Sequence, residues 1–231
     1  MSPTRASSPA EAVSVSDHET ALAPEARRLH RSLIGAVLAT GSVPSVHELA
    51  DRLGTTEGTI RAGLIALAEA DYVALNCGGQ VSCLYPFSTT PTSHVIVING
   101  QQRYAMCSID ALGIPAMLDQ ELDIAGGCAV CGWPITLRVG PGTIVAATPP
   151  EAMVVAHRDE AEPAFAACCP FTVFVCGQEH AEQFVHRITG SHTLPLAEAL
   201  THAEAIFGGL LAEVIPASRP RGRHWGQSGD E

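Results

Sequence analysis

Residues 103–118 read RYAMCSIDALGIPAML and contain the change of pattern that decides the fold. An apolar strand gives way here to a short helix, and Pro115 limits the regularity of that helix. The same stretch places Cys107 three residues before Asp110. Residues at this spacing share one face of a helical turn, so a thiol and a carboxyl can reach one reacting atom. A helix N-terminus would also favour the thiolate form of Cys107.

The chain around this stretch has mostly β patterns. Asn99-Gly100 predicts a turn after a strand over 94–98, and residues 101–106 can pair back. Glycine and proline separate further predicted strands, at 135–139, 143–147, 152–157 and 165–176. Two predicted helices, 180–188 and 196–214, close the domain. Strands in a block followed by helices predict an α+β domain with antiparallel pairing.

The N-terminal part has a different, helical pattern. Three apolar-periodic segments predict helices, and Ser45 with Glu48 forms a capping box before the second one. A hairpin follows over 72–85. Three helices and a hairpin are typical of a winged-helix module. Between residues 25 and 87, however, five arginines face six acids, so we favour a structural role over DNA binding.

These patterns divide the chain into four parts. Residues 1–22 and 217–231 are predicted to be tails without a packed core. The winged-helix-like module covers residues 23–87, and the α+β domain with flanking helices covers residues 88–216. Residues 88–93 form a short polar linker between them.

Composition limits the class of protein. The formal net charge of the 231 residues is −11 and lysine is absent, which disfavours nucleic acid and anionic membranes as partners. No apolar run is long enough for a membrane helix, and the first residues do not resemble a secretory signal. A cytoplasmic location is therefore expected. Eight cysteines in a reducing compartment indicate metal binding, catalysis or simple packing rather than a disulfide framework.

Two further groups of cysteines are candidates for a site. Cys168 and Cys169 fall in the predicted strand 165–176, where alternation would point them to opposite faces. Cys128 and Cys131 form a CxxCG motif typical of a zinc knuckle, but no second half follows at knuckle spacing. We expect a packed or reduced pair there more than a structural zinc. From spacing alone, packing and helix capping also explain Cys107 and Asp110 as well as catalysis does.

Taken together, these residues resemble the organomercurial (alkylmercury) lyase family. The similarity rests on residues 104–116 with Cys107 and Asp110, on Cys128 followed by Gly132, and on the Cys168–Cys169 pair. The N-terminal helical module also belongs to the family pattern, so the resemblance spans about residues 25–215.

The resemblance implies a mechanism and a set of partners. Cys107 and Cys168 would bind the mercury of an organomercurial substrate as thiolates, and protonated Asp110 would deliver a proton to the departing carbon. The products would be a hydrocarbon and Hg(II), which small thiols and mercuric reductase would remove. No organic cofactor is implied, because the metal belongs to the substrate.

Two other functions remain open from the residues alone. One is a protein that binds zinc, copper or mercury without cleaving a bond, with Cys128 and Cys131 as ligands. The other is a winged-helix regulator with a metal-sensing domain.

Overall fold

The computed structural model describes residues 22–157 and 163–211. The predicted tails, residues 1–22 and 217–231, lie outside these ranges except for Leu22. Within the described ranges, no helix combines the length and the apolar character that crossing a bilayer would require.

The N-terminal part forms three helices, as predicted: α1 (Pro24–Thr40), α2 (Val46–Leu53) and α3 (Glu57–Glu69). The capping box is present, because the Ser45 hydroxyl accepts from the Glu48 N–H and the Glu48 carboxylate accepts from the Ser45 N–H. Gly41 and Gly54 end α1 and α2 in the left-handed conformation, which glycine adopts without steric cost.

The predicted hairpin follows and continues into a larger sheet. Strands β1 (Val73–Leu75) and β2 (Val81–Leu84) pair antiparallel, and β2 then pairs with β3 (Phe87–Ser88). Strand β3 in turn pairs with a strand of the second part of the chain. One sheet therefore crosses the boundary that the sequence pattern suggests near residue 87.

The second part is built from two antiparallel sheets. The large sheet has the order β1-β2-β3-β5-β4-β6-β7-β8, and its later strands are β4 (Val95–Ile98), β5 (Gln101–Ala105), β6 (Leu122–Gly127), β7 (Pro134–Gly140) and β8 (Thr143–Thr148). The small sheet has the order β10-β9-β11, from β9 (Met153–His157), β10 (Val173–Val175) and β11 (Ser191–Pro195). This arrangement confirms the predicted α+β class, with antiparallel strands and flanking helices.

Helix α4 (Ser108–Leu118) lies at the centre of this part. It contacts β5, β6 and β7 of the large sheet and β9 and β10 of the small one. Because these elements enclose the helix, nine of its eleven residues are buried. A helix in such surroundings has no polar face. The remaining helices are α5 (Ala164–Ala167), α6 (Gln178–Arg187) and α7 (Leu196–Phe207), and α7 packs directly on α4.

The predicted strand over residues 165–176 is wrong for most of its length. The segment instead contains α5, a 3-10 turn (Cys169–Phe171) and the short strand β10. Alanines favour the helix after Pro163, and Pro170 has no N–H to give to a strand ladder. Cys168 and Cys169 consequently lie in consecutive helical turns rather than on opposite faces of a sheet.

Candidate functional site

Cys107 occupies the N-cap of the central helix. Its backbone is extended, and its Sγ accepts a hydrogen bond from the Asp110 N–H at 3.4 Å. The thiol thus fills the position that serine or aspartate usually takes, and it lies at the positive end of the helix dipole. Local sequence explains this placement, since the cap and its partner are three residues apart.

Asp110 and Cys169 complete a buried group with Cys107. The Sγ of Cys169 donates to Asp110 Oδ2 at 3.8 Å, and the three ligand atoms all lie within 4.8 Å of one another. Each of the three residues is at most 7% exposed. The Ser108 N–H donates to the Thr172 carbonyl at 3.2 Å, which ties the start of α4 to the segment that carries Cys169.

Burial raises the pKa values of Asp110 and Cys107 in this group. Removal from water raises the pKa of Asp110 to about 7, although hydrogen bonds from the thiols of Cys107 and Cys169 oppose the shift. Burial, together with the neighbouring thiol and carboxyl, raises the pKa of Cys107 well above its ordinary value. The group can therefore donate protons near neutral pH to a substrate that displaces them.

Tyr85 is a further member of this site that sequence analysis did not identify. Its hydroxyl lies 3.6 Å from the Cys169 Sγ, and desolvation with the nearby thiols of Cys169 and Cys83 raises its pKa. Tyr85 therefore stays a neutral hydroxyl beside the sulfur. It comes from the end of the hairpin in the N-terminal part, more than twenty residues before Cys107, so no local spacing could indicate it.

Cys168 lies next to this group but outside it. It ends α5, where its N–H donates to the Ala164 carbonyl at 3.0 Å, and its side chain is half-buried. The three grouped ligand atoms belong to Cys107, Asp110 and Cys169. The structure thus brings together Cys107 and Asp110 as predicted, and it adds the second cysteine of the pair rather than the first.

A second group contains Cys128 and Cys131, the CxxC pair of the sequence analysis. The structure adds Cys176 and His180, and the four ligand atoms lie within 4.8 Å of one another. Burial alone would raise the pKa of Cys128, but backbone N–H groups of Cys131, Val130 and Cys176 bring it down to about 6. The sequence signal that could have identified them is Cys-x3-His, in which Cys176 follows β10 and His180 lies on the first turn of α6.

Comparison with known proteins gives consistent results. The alkylmercury lyase family (MerB) matches residues 87–208, which is more than half of the 231 residues. An alkylmercury lyase of Bacillus cereus is 27% identical over 185 residues, or 80% of this chain and 81% of that protein. One of Staphylococcus epidermidis is 28% identical over 164 residues, or 71% and 74% of the two chains.

A solved structure shows the same fold. The crystal structure of the mercury-bound form of MerB2 has a TM-score of 0.71 to this chain at 21% identity, covering 85% of this chain and 96% of that one. The family match and the alkylmercury lyase relatives confirm the resemblance drawn from Cys107, Asp110 and the downstream cysteine pair. On the family match, the chain belongs to the alkylmercury lyase family.

Proposed function

We propose that this protein cleaves the carbon–mercury bond of organomercurial compounds by protonolysis. One observation carries the proposal: in a chain of this family, two thiols and a carboxyl whose pKa is raised to about 7 meet in one buried group. Sulfur is a ligand that soft metals prefer, and the carboxyl supplies the proton that the leaving carbon needs.

The proton balance of the reaction follows from these groups. Two thiols replace the ligand X on R–Hg–X and break the carbon–mercury bond, giving R–H, a bis-thiolate of Hg(II) and HX. Cys107 gives up its proton when its sulfur binds mercury, and the ionised form of Asp110, which is present at neutral pH, lies within reach to accept it. Asp110 then delivers that proton to the carbon. A pKa near 7 suits a group that must both take and give a proton at neutral pH.

The second sulfur comes from the Cys168–Cys169 pair. The family resemblance assigns Cys168, whereas the grouping of side chains favours Cys169. We propose that the half-buried Cys168 is the first of the two that an incoming compound meets, and that Cys169 lies with Cys107 at the buried end.

Single-residue variants test the reaction and separate metal binding by the cysteines from proton transfer by Asp110. Reduced protein is incubated with a phenylmercury salt and excess small thiol, and benzene is measured by gas chromatography. We expect Cys107→Ser and Asp110→Asn each to lower benzene release at least a hundredfold, the scale of a lost proton-transfer group. Asp110→Asn should still retain mercury through desalting, since its sulfurs remain.

The two cysteines of the pair are compared in the same assay. We expect Cys169→Ser to abolish release from the bound substrate and Cys168→Ser to slow capture at low substrate concentration. Loss of release in Cys168→Ser alone would instead make Cys168 the second ligand. Cys77→Ser, an exposed cysteine of the β1–β2 turn, is the matched control. Tight mercury binding without any hydrocarbon from the wild-type protein would replace the lyase proposal with a soft-metal binding function.

The wider setting follows from the proposed chemistry. Hg(II) held by two thiolates leaves only when other thiols exchange for them, so we propose small thiols and mercuric reductase as the acceptors. No disulfide joins any of the eight cysteines, all of which lie within the described residues, and this suits a reducing compartment. We propose the cytoplasm as the place of the reaction.

A further inference from the structure

We propose that Cys128, Cys131, Cys176 and His180 bind one structural Zn²⁺, separate from the site for substrate mercury. Three thiols and one imidazole with mutually close ligand atoms are a complete donor set for a closed tetrahedral zinc site. The other group, at Cys107, has only two sulfurs and a carboxyl. A fourth protein ligand distinguishes a structural zinc site from one that must admit a substrate.

The distances fit a tetrahedron of this size. With Zn–S bonds of about 2.3 Å and Zn–N bonds of about 2.0 Å, sulfur ligands lie about 3.8 Å apart and sulfur and nitrogen about 3.5 Å apart. The Sγ atoms of Cys131 and Cys176 are 3.8 Å apart, and the Cys128 Sγ is 3.5 Å from His180 Nδ1. The contact between Cys176 Sγ and His180 Nδ1, at 2.9 Å, is shorter. Zinc binding would replace this hydrogen bond and slightly increase the distance between the two atoms.

The backbone already holds the cysteine pair in the shape of a zinc knuckle. Cys128 and Cys131 flank the turn between β6 and β7, where the Gly132 N–H donates to the Cys128 carbonyl at 2.8 Å. Gly132 has a φ of +74°, which other residues rarely adopt. The Cys128 N–H donates in turn to the Trp133 carbonyl at 2.9 Å. The Sγ atoms of Cys128 and Cys131 thus already lie within 4.8 Å of each other in this turn.

The other two ligands come from a different sheet. Cys176 follows β10, and His180 lies on the first turn of α6, so the metal would fasten the end of the small sheet to a hairpin of the large one. A backbone hydrogen bond from Ala129 to Phe174 already joins these elements at 3.0 Å. The short strand β10 separates this site from Cys169, so zinc would anchor the far end of the segment that carries the catalytic sulfur pair.

Metal content and cobalt spectroscopy test the proposal without reference to lyase activity. Protein purified in reducing buffer without chelator should contain one zinc per chain by mass spectrometry. Replacement of zinc by Co²⁺ should give the visible bands of a tetrahedral thiolate site. Removal of the metal with a strong chelator should lower the melting temperature by several degrees, since metal binding free energy adds to folding free energy.

Two variants with matched controls locate the metal. Cys131→Ser at the exposed rim and His180→Ala should lose most of the zinc, whereas Cys77→Ser and His186→Ala, the latter on the same helix, should keep it. Cys107→Ser should also keep it. Metal-free wild-type protein that gives no cobalt bands would overturn the proposal. So would zinc that survives in both ligand variants, or a site that takes up mercury but never zinc.

Discussion

At the scale of single residues, the carboxyl of Asp110 makes stability depend on pH. Its pKa rises from the ordinary 3.8 to about 7 on folding, so the unfolded chain ionises it first. The contribution of neutral Asp110 is complete below pH 3.8 and is lost as the pH rises to about 7. Asp110→Asn, which cannot ionise, should therefore match the native protein near pH 4 and exceed its stability at pH 8. The expected gain is on the order of 4 kcal/mol.

Urea unfolding at several pH values measures this difference. Asp119→Asn is the control, because Asp119 is exposed at the other end of the same helix, in a left-handed conformation that asparagine also accepts. A difference between Asp110→Asn and native protein that stays constant from pH 4 to pH 8 would show that Asp110 does not carry a raised pKa.

At the scale of elements, α4 and α7 pack so closely that one glycine is required between them. A Cβ on Gly113 would lie 2.4 Å from Phe207 Cδ2 and 3.1 Å from the Ala203 carbonyl oxygen. Alanine is the better helix former by about 1 kcal/mol, but overpacking costs about 1 to 3 kcal/mol when backbone must move. Gly113→Ala should therefore lower the free energy of unfolding, as measured in urea.

Gly35→Ala is the control, and we expect it to raise the free energy of unfolding rather than lower it. Gly35 is exposed in the middle of α1, and nothing lies within 4 Å of its added Cβ. That variant should gain up to about 1 kcal/mol from helix propensity alone. Equal stabilisation by both substitutions would mean that α4 and α7 separate more easily than their contact indicates.

Some helices and strands could be predicted from the sequence, and others could not. Helices α1 to α3 and the first hairpin carry local signals, such as the Ser45–Glu48 box, and these predictions are confirmed. The neighbourhood of Cys107 and Asp110 is equally local. The segment with Cys168 and Cys169 is different, because its apolar residues fit a strand as well as a buried helical turn, and tertiary contacts decide between them. The sequence patterns also do not predict β6 and β11, which are short and contain few apolar residues. Cys169 and Tyr85 join the site only through long-range packing.

At the scale of the whole molecule, Arg103 joins the N-terminal helices to the central sheet. It is 5% exposed on β5, and its guanidinium donates to the carbonyls of Val37 and Leu38 at 2.7 and 2.9 Å. These carbonyls end α1, where the helix dipole favours a cation. Arg103→Met would remove both bonds, although the Gly41 N–H would still donate to the Val37 carbonyl. We expect a loss of about 2 to 4 kcal/mol.

The unfolding curves also report on cooperativity. Because one sheet includes both the hairpin and β4 to β8, the N-terminal part and the α+β part should unfold in a single transition. Circular dichroism and tryptophan fluorescence should give one midpoint in native protein and a lower, still shared midpoint in Arg103→Met. Arg138→Met is the control, since its guanidinium is exposed and surface ion pairs of this kind contribute little to stability. If about half of the helical signal, the share of α1 to α3, were lost before the fluorescence change, the winged-helix-like module would be an independent unit. The contacts of Arg103 would then contribute little to the fold.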